Sequence, residues 1–420
     1  MDVLLKKIID ILPPPDFIQS ILGQNSAEPT LTNNFYKIVD GFAKAQSETD
    51  EKSLNDTFIM VAAIKDHFWE IINTGHFSKV SQIHRKIYTV ASLHKAVLLL
   101  MKGHLELIHP NEAREQCMWE LDNGLLLGCP LDHSIYGDVL NDCLNIIQND
   151  RSSKIRNTDQ TKLDTKYDSR PSNDIVCDID ILERPSIQHF KENYFNRSQP
   201  VILRDCMSQW PAMSKWNTIN YLLDVCQNRV IPIEIGKNYT NENWSQDLCK
   251  FEDFFRRQFL DDETCAGSKR IEYLAQHNLF DQIPTLKNDI FTPEYCCITS
   301  RTSDNDIDVD IKAWLGPEGT ISPMHIDEKH NLLCQVFGSK RIILAAPDDS
   351  VNLYPFDGDM LKNTSQIDAE HLDYDRFPLV RNVKFYSLTL YASEMLYLPP
   401  KWWHFVKSLS KSFSVSFWWE

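Results

Sequence analysis

No uninterrupted apolar run in this 420-residue chain is long enough to cross a bilayer, so no membrane association is expected. The apolar stretch Val3 to Leu12 is broken by Lys6 and Lys7. It runs into Pro13-Pro14-Pro15 without a small-residue cleavage site, so it does not read as a secretory signal. C-x-x-C pairs are absent. The eleven cysteines are odd in number, and Cys296 and Cys297 are adjacent. That pattern argues against a zinc ribbon and a disulfide scaffold, and for reduced thiols in the nucleus or the cytoplasm. No H-E-x-x-H helix is present, which disfavours a zinc protease. Basic residues are in deficit, 43 Lys and Arg against 59 Asp and Glu, for a net charge of −16. Such a balance opposes a broad nucleic-acid surface and suits arginine- or lysine-rich protein segments.

What is present suggests two or three domains by length. Residues 1–150 read as an α-helical domain. Between Phe77 and Met101, Val80, Ile83, Ile87, Val90, His94, Val97 and Met101 recur at spacings of three or four, the pattern of an amphipathic helix. Similar stretches are Asn34 to Ala45, Leu54 to Asn73, Pro110 to Leu127 and Ser134 to Ile147. Either a docking surface for a protein partner or a packed helical domain without its own activity fits this array. Residues 151–175 are polar and charged and read as a flexible linker. Residues 176–420 have a mixed texture, with a short helix from Ser186, its N-cap, to Asn193, and strands at Pro200 to Leu203 and Ile231 to Gly236.

The most informative stretch is His325-Ile326-Asp327, with His404 far downstream after Pro399-Pro400. Two imidazoles and a carboxylate make a facial triad, which leaves three corners of an octahedral ion open. Residues i and i+2 of a strand face one way, so His325 and Asp327 can aim at one point. The surroundings read as short strands with turn punctuation. Asn331 to Phe337 is one strand, Gly338-Ser339 a two-residue hairpin turn, and Lys340 to Ala345 the returning strand. In the closing run, Phe413, Val415 and Phe417 share one face and Ser414, Ser416 and Trp418 the other. The expected fold is α+β: a C-terminal jelly-roll, a cupin-like double-stranded β-helix, behind an α-helical domain. His330 and His277 are rival ligands. Lys340 reads equally as a buried cation awaiting an anion or as a hairpin-edge lysine in solvent. Glu234 lies between Ile233 and Ile235 and points away from them, either into a site or to solvent.

Tyr273-Leu274-Ala275-Gln276-His277, Trp314-Leu315-Gly316-Pro317, Thr320-Ile321-Ser322-Pro323, Asn363-Thr364-Ser365-Gln366 and Phe413 to Trp419 together resemble the Jumonji-C family of 2-oxoglutarate-dependent oxygenases. The resemblance covers about residues 180–420. It implies an Fe(II) centre on His325, Asp327 and His404, with 2-oxoglutarate as cosubstrate and O2 as oxidant. Lys340 is then the cation for the distal carboxylate, with Tyr273, Ser322 and Asn331 as its polar partners. Glu234, Trp244, Gln276, Trp314 and Trp418 are implied to line the substrate pocket. The implied reaction is hydroxylation of a peptidyl arginine at its β-carbon (C-3) in a nuclear, and also cytoplasmic, setting, with chromatin-associated or ribosomal proteins as candidates. Demethylation of a histone methyl-lysine uses the same site. A non-catalytic jelly-roll scaffold and a cupin with another metal are the remaining alternatives.

Overall fold

The computed structural model describes residues 2–23, 36, 39, 41–42, 51–74, 79–132, 136–151, 162–163, 179–236, 238–241, 243–260, 270–299, 308–358 and 361–420. Two compact units emerge, Met1–Asn157 with Asn228–Val230, and Thr158–Gln227 with Ile231–Glu420.

The first unit is helical: α1 (Asp2–Ile9), α2 (Pro15–Gly23), α3 (Glu51–Asn73), α4 (Gln82–His104), α5 (Pro110–Leu127) and α6 (Val139–Arg151). Local signals set the starts. The Ser81 hydroxyl accepts from the Ile83 amide ahead of α4, and Pro110 opens α5. The amphipathic reading of α4 needs correction. Apart from Lys95 and Lys102, every residue from Ile87 to Gly103 is buried, Thr89, Ser92 and His94 included, so α4 is a central helix packed all round. Thr89 and Lys95 find polar partners inside. The Thr89 hydroxyl donates to the Cys129 carbonyl at 2.8 Å, and Lys95 joins Lys65 in neutralising buried Glu120, at 3.0 and 2.7 Å. Of the helix expected over Asn34 to Ala45, only Tyr36, Val39, Gly41 and Phe42 are described. Asn34 and Ala45 lie outside the described residues, as do Phe77, Ser134 and, within the stretch read as a linker, residues 152–161 and 164–175. Leu163 is described and buried, its amide donating to the Asn217 carbonyl at 2.8 Å.

The second unit carries β1 (Ile181–Glu183), β2 (Val201–Arg204), β3 (Val230–Ile235), β4 (Ser245–Lys250), β5 (Glu272–His277), β6 (Asp310–Gly316), β7 (Ile321–His325), β8 (His330–Phe337), β9 (Lys340–Ala345), β10 (Phe385–Leu390), β11 (Glu394–Leu398), β12 (Trp403–Ser408) and β13 (Ser412–Trp419). They form a nine-stranded sheet, β1-β2-β11-β8-β13-β6-β5-β3-β4, and a four-stranded sheet, β10-β9-β12-β7. From β6 onward the chain shuttles between the two sheets, which is the winding of a jelly roll. The α+β, cupin-like architecture is therefore present.

Gly338-Ser339 is not a hairpin turn. β8 pairs with β11 and β13, whereas β9 pairs with β10 and β12, so the two residues carry the chain from one sheet to the other. Gly338 has φ +74°, and a Cβ there would fall 2.1 Å from the Lys411 carbonyl oxygen. The corner delivers Lys340 to the barrel interior, 1 % exposed. The alternation in β13 is as expected, but all eight residues are buried. Phe413, Val415, Phe417 and Trp419 join a core with Trp216 and Phe280, each such side chain contributing about 1.5–3 kcal/mol of burial. The opposite face meets the barrel interior, where Leu333, Ile342, Leu344, Leu396 and Val406 from both sheets pack together.

Candidate active site

His325 ends β7 and pairs in register with His404 of β12, with a bulge just beyond His404. The two rings lie 4.1 Å apart between centroids. Asp327 is not on the strand, as expected from its spacing, but in the connection after it. Two backbone bonds hold that connection: Ile326 N–H to the Asn363 carbonyl at 2.9 Å, and Lys401 N–H to the Asp327 carbonyl at 2.7 Å. Ligand atoms of His325, Asp327 and His404 all lie within 4.8 Å of one another.

The electrostatics suit a cation. His325 Nδ1 meets the Pro323 carbonyl at 2.7 Å and His404 Nδ1 the Trp402 carbonyl at 2.9 Å. A carbonyl only accepts, so both Nδ1 atoms carry the proton and both Nε2 atoms offer lone pairs. Burial, followed by the neighbouring His325, pushes the His404 imidazole down to about 4, against the opposing pull of Asp327, so it is neutral at physiological pH. Among the described residues Asp327 Oδ2 is buried without a hydrogen-bond partner, 3.6 Å from His404 Nε2. An orphaned carboxylate oxygen beside two imidazole lone pairs is the donor set of a divalent metal, and the residues fit Fe(II).

A narrow pocket opens from these three side chains and is also lined by Tyr273, Ser322, Asn331, Lys340, Trp314 and Trp418. Lys340 Nζ donates to the Tyr273 hydroxyl at 3.2 Å. Burial lowers the lysine to about 7, so it is an amine that an incoming anion can turn into a cation. Burial raises the Tyr273 phenol, and the nearby Glu234 adds to this, while a hydrogen bond with Ser322 opposes it. The phenol therefore stays a donor. Asn331 Oδ1 and Trp418 Nε1 in this lining are buried and have no hydrogen-bond partner among the described residues.

A wider cavity of about 360 Å³ shares Trp314, Ser322, His325, Asp327 and Trp418 with the first and adds Glu234, Trp244 and Gln276. All twelve residues singled out from the sequence thus line one continuous site. Ile233 and Ile235 point into the core while Glu234 faces the cavity, half-buried, with Trp244 Nε1 donating to its Oε2 at 3.3 Å. Burial raises the Glu234 carboxyl, opposed by that Trp244 bond. Trp314 and Trp418 meet edge to face at 6.4 Å, and Trp314 Nε1 donates to Ser416 at 2.9 Å. Gln276 has φ +52° at a register shift in β5, a strained position at the cavity wall.

The rival histidines serve elsewhere. His330 is stacked on Phe195 and bonded to the Tyr397 hydroxyl at 2.8 Å, and burial lowers it to about 4. His277 bonds Gln282 at 2.7 Å. Sequence reasoning missed Tyr239, Gln246, Leu361 and Thr364 in the wider cavity. The Tyr239 hydroxyl and Thr364 Oγ1 lie 3.2 Å apart across 125 positions of sequence. Asn363-Thr364 stood within a segment of family resemblance, and Tyr239 had no signal of its own.

A jelly roll that gathers two histidines, an aspartate and a buried lysine at one mouth defines a class: the cupin-like, metal-dependent oxygenases. A family model described as a cupin-like domain matches residues 187–420. The chain is 48 % identical to Jumonji C domain-containing protein 5 of Drosophila melanogaster over 386 residues, 91 % of this chain and 92 % of that one. It is 35 % identical to lysine-specific demethylase 8 of Danio rerio (85 % and 86 % covered) and 32 % identical to lysine-specific demethylase JMJ30 of Arabidopsis thaliana (85 % of each). The chain belongs to the Jumonji-C family of cupin-like oxygenases, which use Fe(II) and 2-oxoglutarate.

Proposed function

We propose that this protein hydroxylates a peptidyl arginine at C-3. The observation that carries this reading is Glu234: a half-buried carboxylate in a cavity walled by Trp244, Trp314 and Trp418 and reaching His325 and Asp327. A guanidinium takes an ion pair from the carboxylate and cation–π contact from the indoles. The net charge of −16 favours basic protein segments as partners.

Each residue then has a task. Lys340 and Tyr273 bind the distal carboxylate of 2-oxoglutarate, while Ser322 and Asn331 complete its hydrogen bonds. Lys340 takes up the proton that makes it a cation when the dianion arrives. The carbonyls of Pro323 and Trp402 keep both imidazoles in the Nδ1–H tautomer. Trp314 and Trp418, common to both cavities, exclude water between cosubstrate and substrate. Bound iron and dioxygen supply the oxidising power by which 2-oxoglutarate becomes succinate and carbon dioxide while one oxygen atom enters a C–H bond.

A second reading draws on the relatives named lysine-specific demethylases. There the oxidised carbon is an N-methyl group, and the hydroxylated product collapses to the amine and formaldehyde. Mass spectrometry of arginine-containing and methyl-lysine peptides separates the two. One oxygen retained on arginine supports the first, and loss of a methyl group with formaldehyde release supports the second. The proposal extends to action in the nucleus, which imaging of the tagged full chain checks.

A further inference from the structure

The turn between β11 and β12 holds two of the three metal-binding residues, Asp327 by its main chain and His404 by its ring. Lys401 N–H donates to the Asp327 carbonyl at 2.7 Å, and the Trp402 carbonyl accepts from His404 Nδ1 at 2.9 Å. Between these bonds the backbone is held in an unusual shape. Lys401 has φ +65° although it is not glycine, and its side chain is 62 % exposed. Pro399 and Pro400 restrict the approach to it. Trp402 also ties the turn to a segment away from the metal-binding residues. The Trp402 indole, 4 % exposed, donates to the Ser198 carbonyl at 2.8 Å, and its ring packs against Tyr386. Ser198 lines neither active-site cavity.

We propose that the Pro399–Trp402 turn is a positioning element for the metal centre, and that Trp402, through its bond to Ser198, is the residue that locks it. A single small unit sets the Asp327 main chain and the orientation of the His404 ring together. Displacing the turn therefore spoils two ligands at once, although neither Lys401 nor Trp402 reaches the metal with a side chain. Groups that orient first ligands typically change metal affinity ten-fold or more when removed. This inference rests on the metal-centre reading of His325, Asp327 and His404.

The test is Mn(II) binding to the full chain, followed by electron paramagnetic resonance and calorimetry, beside thermal unfolding. Trp402→Phe keeps an aromatic ring beside Tyr386 and removes the donor to Ser198, and about ten-fold weaker Mn(II) binding is expected. Tyr194→Phe is the control. It removes a bond from the Tyr194 hydroxyl to Asp180 (3.0 Å) in a separate cavity that Trp402 also borders, with no link to the ligands. It should cost similar stability and leave the Mn(II) affinity as in the parent chain. Equal Mn(II) affinities for Trp402→Phe and the parent, or equal losses in both variants, overturn the proposal. Should Trp402→Phe fail to fold, the exposed neighbour decides. Lys401→Val disfavours positive φ and Lys401→Gly permits it, so Lys401→Gly should bind Mn(II) about ten-fold more tightly than Lys401→Val. Equal affinities for that pair overturn the proposal too. No Mn(II) binding by the parent chain would refute the metal centre itself, a distinct outcome.

Discussion

Lys340 Nζ and the Tyr273 hydroxyl are 3.2 Å apart inside the barrel, and among the described residues no carboxylate forms an ion pair with this lysine. Burial lowers Lys340 from 10.5 to about 7. Below about pH 7 both the folded and the unfolded chain hold the proton, and between the two values only the unfolded chain does. The stability of the cosubstrate-free protein should therefore rise with pH across that window. A dicarboxylate beside Lys340 favours the ammonium, so 2-oxoglutarate binding at about pH 8 should draw a proton from the buffer. Calorimetry in buffers of different ionisation enthalpy reads this directly. Binding without proton uptake would show that Lys340 is not the partner.

Lys340→Met should separate stability from function. It removes a desolvated amine, so the melting temperature of the cosubstrate-free chain should rise. It also removes the charge partner of the distal carboxylate, and losing one side of a buried charge pair costs about 2–5 kcal/mol. The Michaelis constant for 2-oxoglutarate should accordingly rise by about 30-fold or more. A lowered melting temperature with an unchanged Michaelis constant would assign Lys340 a structural role.

Asp327→Ala should abolish Fe(II)-dependent turnover. Because Asp327 Oδ2 has no hydrogen-bond partner among the described residues, the metal-free fold loses little. The expected melting shift is within about 2 °C, the response to a substitution worth about 0.5 kcal/mol. Retained turnover would exclude Asp327 as a ligand.

Glu234→Gln tests the substrate pocket. The amide keeps the shape and the contact with Trp244 but loses the charge. For an arginyl peptide, kcat/KM should fall by about 10- to 100-fold, the worth of a hydrogen bond to a charged group, while the dissociation constant for 2-oxoglutarate holds. Steady-state kinetics with the peptide varied measures it. An unchanged kcat/KM would remove Glu234 from substrate recognition.

Much of the site was legible because its chemistry is written in residue type. The His325, Asp327 and His404 set specifies a metal whatever its path through the fold. Geometry was less legible. Lys340 could not be told from a hairpin-edge lysine, because Gly338-Ser339 has the composition of a hairpin turn. Only strand pairing shows it to be a corner between sheets. Asp327 gave a strand spacing, yet it is held in a loop by the amide of Lys401, a backbone contact that no side-chain pattern encodes. In α4 the three-four spacing was real but incomplete, since Thr89 and Ser92, off that face, are buried as well, Thr89 through the distant Cys129. Tyr239 and Thr364 meet only because two long connections converge.

The most direct measurement is the ratio of succinate formed to arginine hydroxylated, with Fe(II), 2-oxoglutarate, O2 and an arginine-containing peptide. Near one-to-one coupling is expected, dependent on Fe(II) and absent in Asp327→Ala. Succinate formed equally without iron, or peptide turnover that leaves no oxygen on arginine, would contradict a ferrous arginine hydroxylase built on His325, Asp327 and His404.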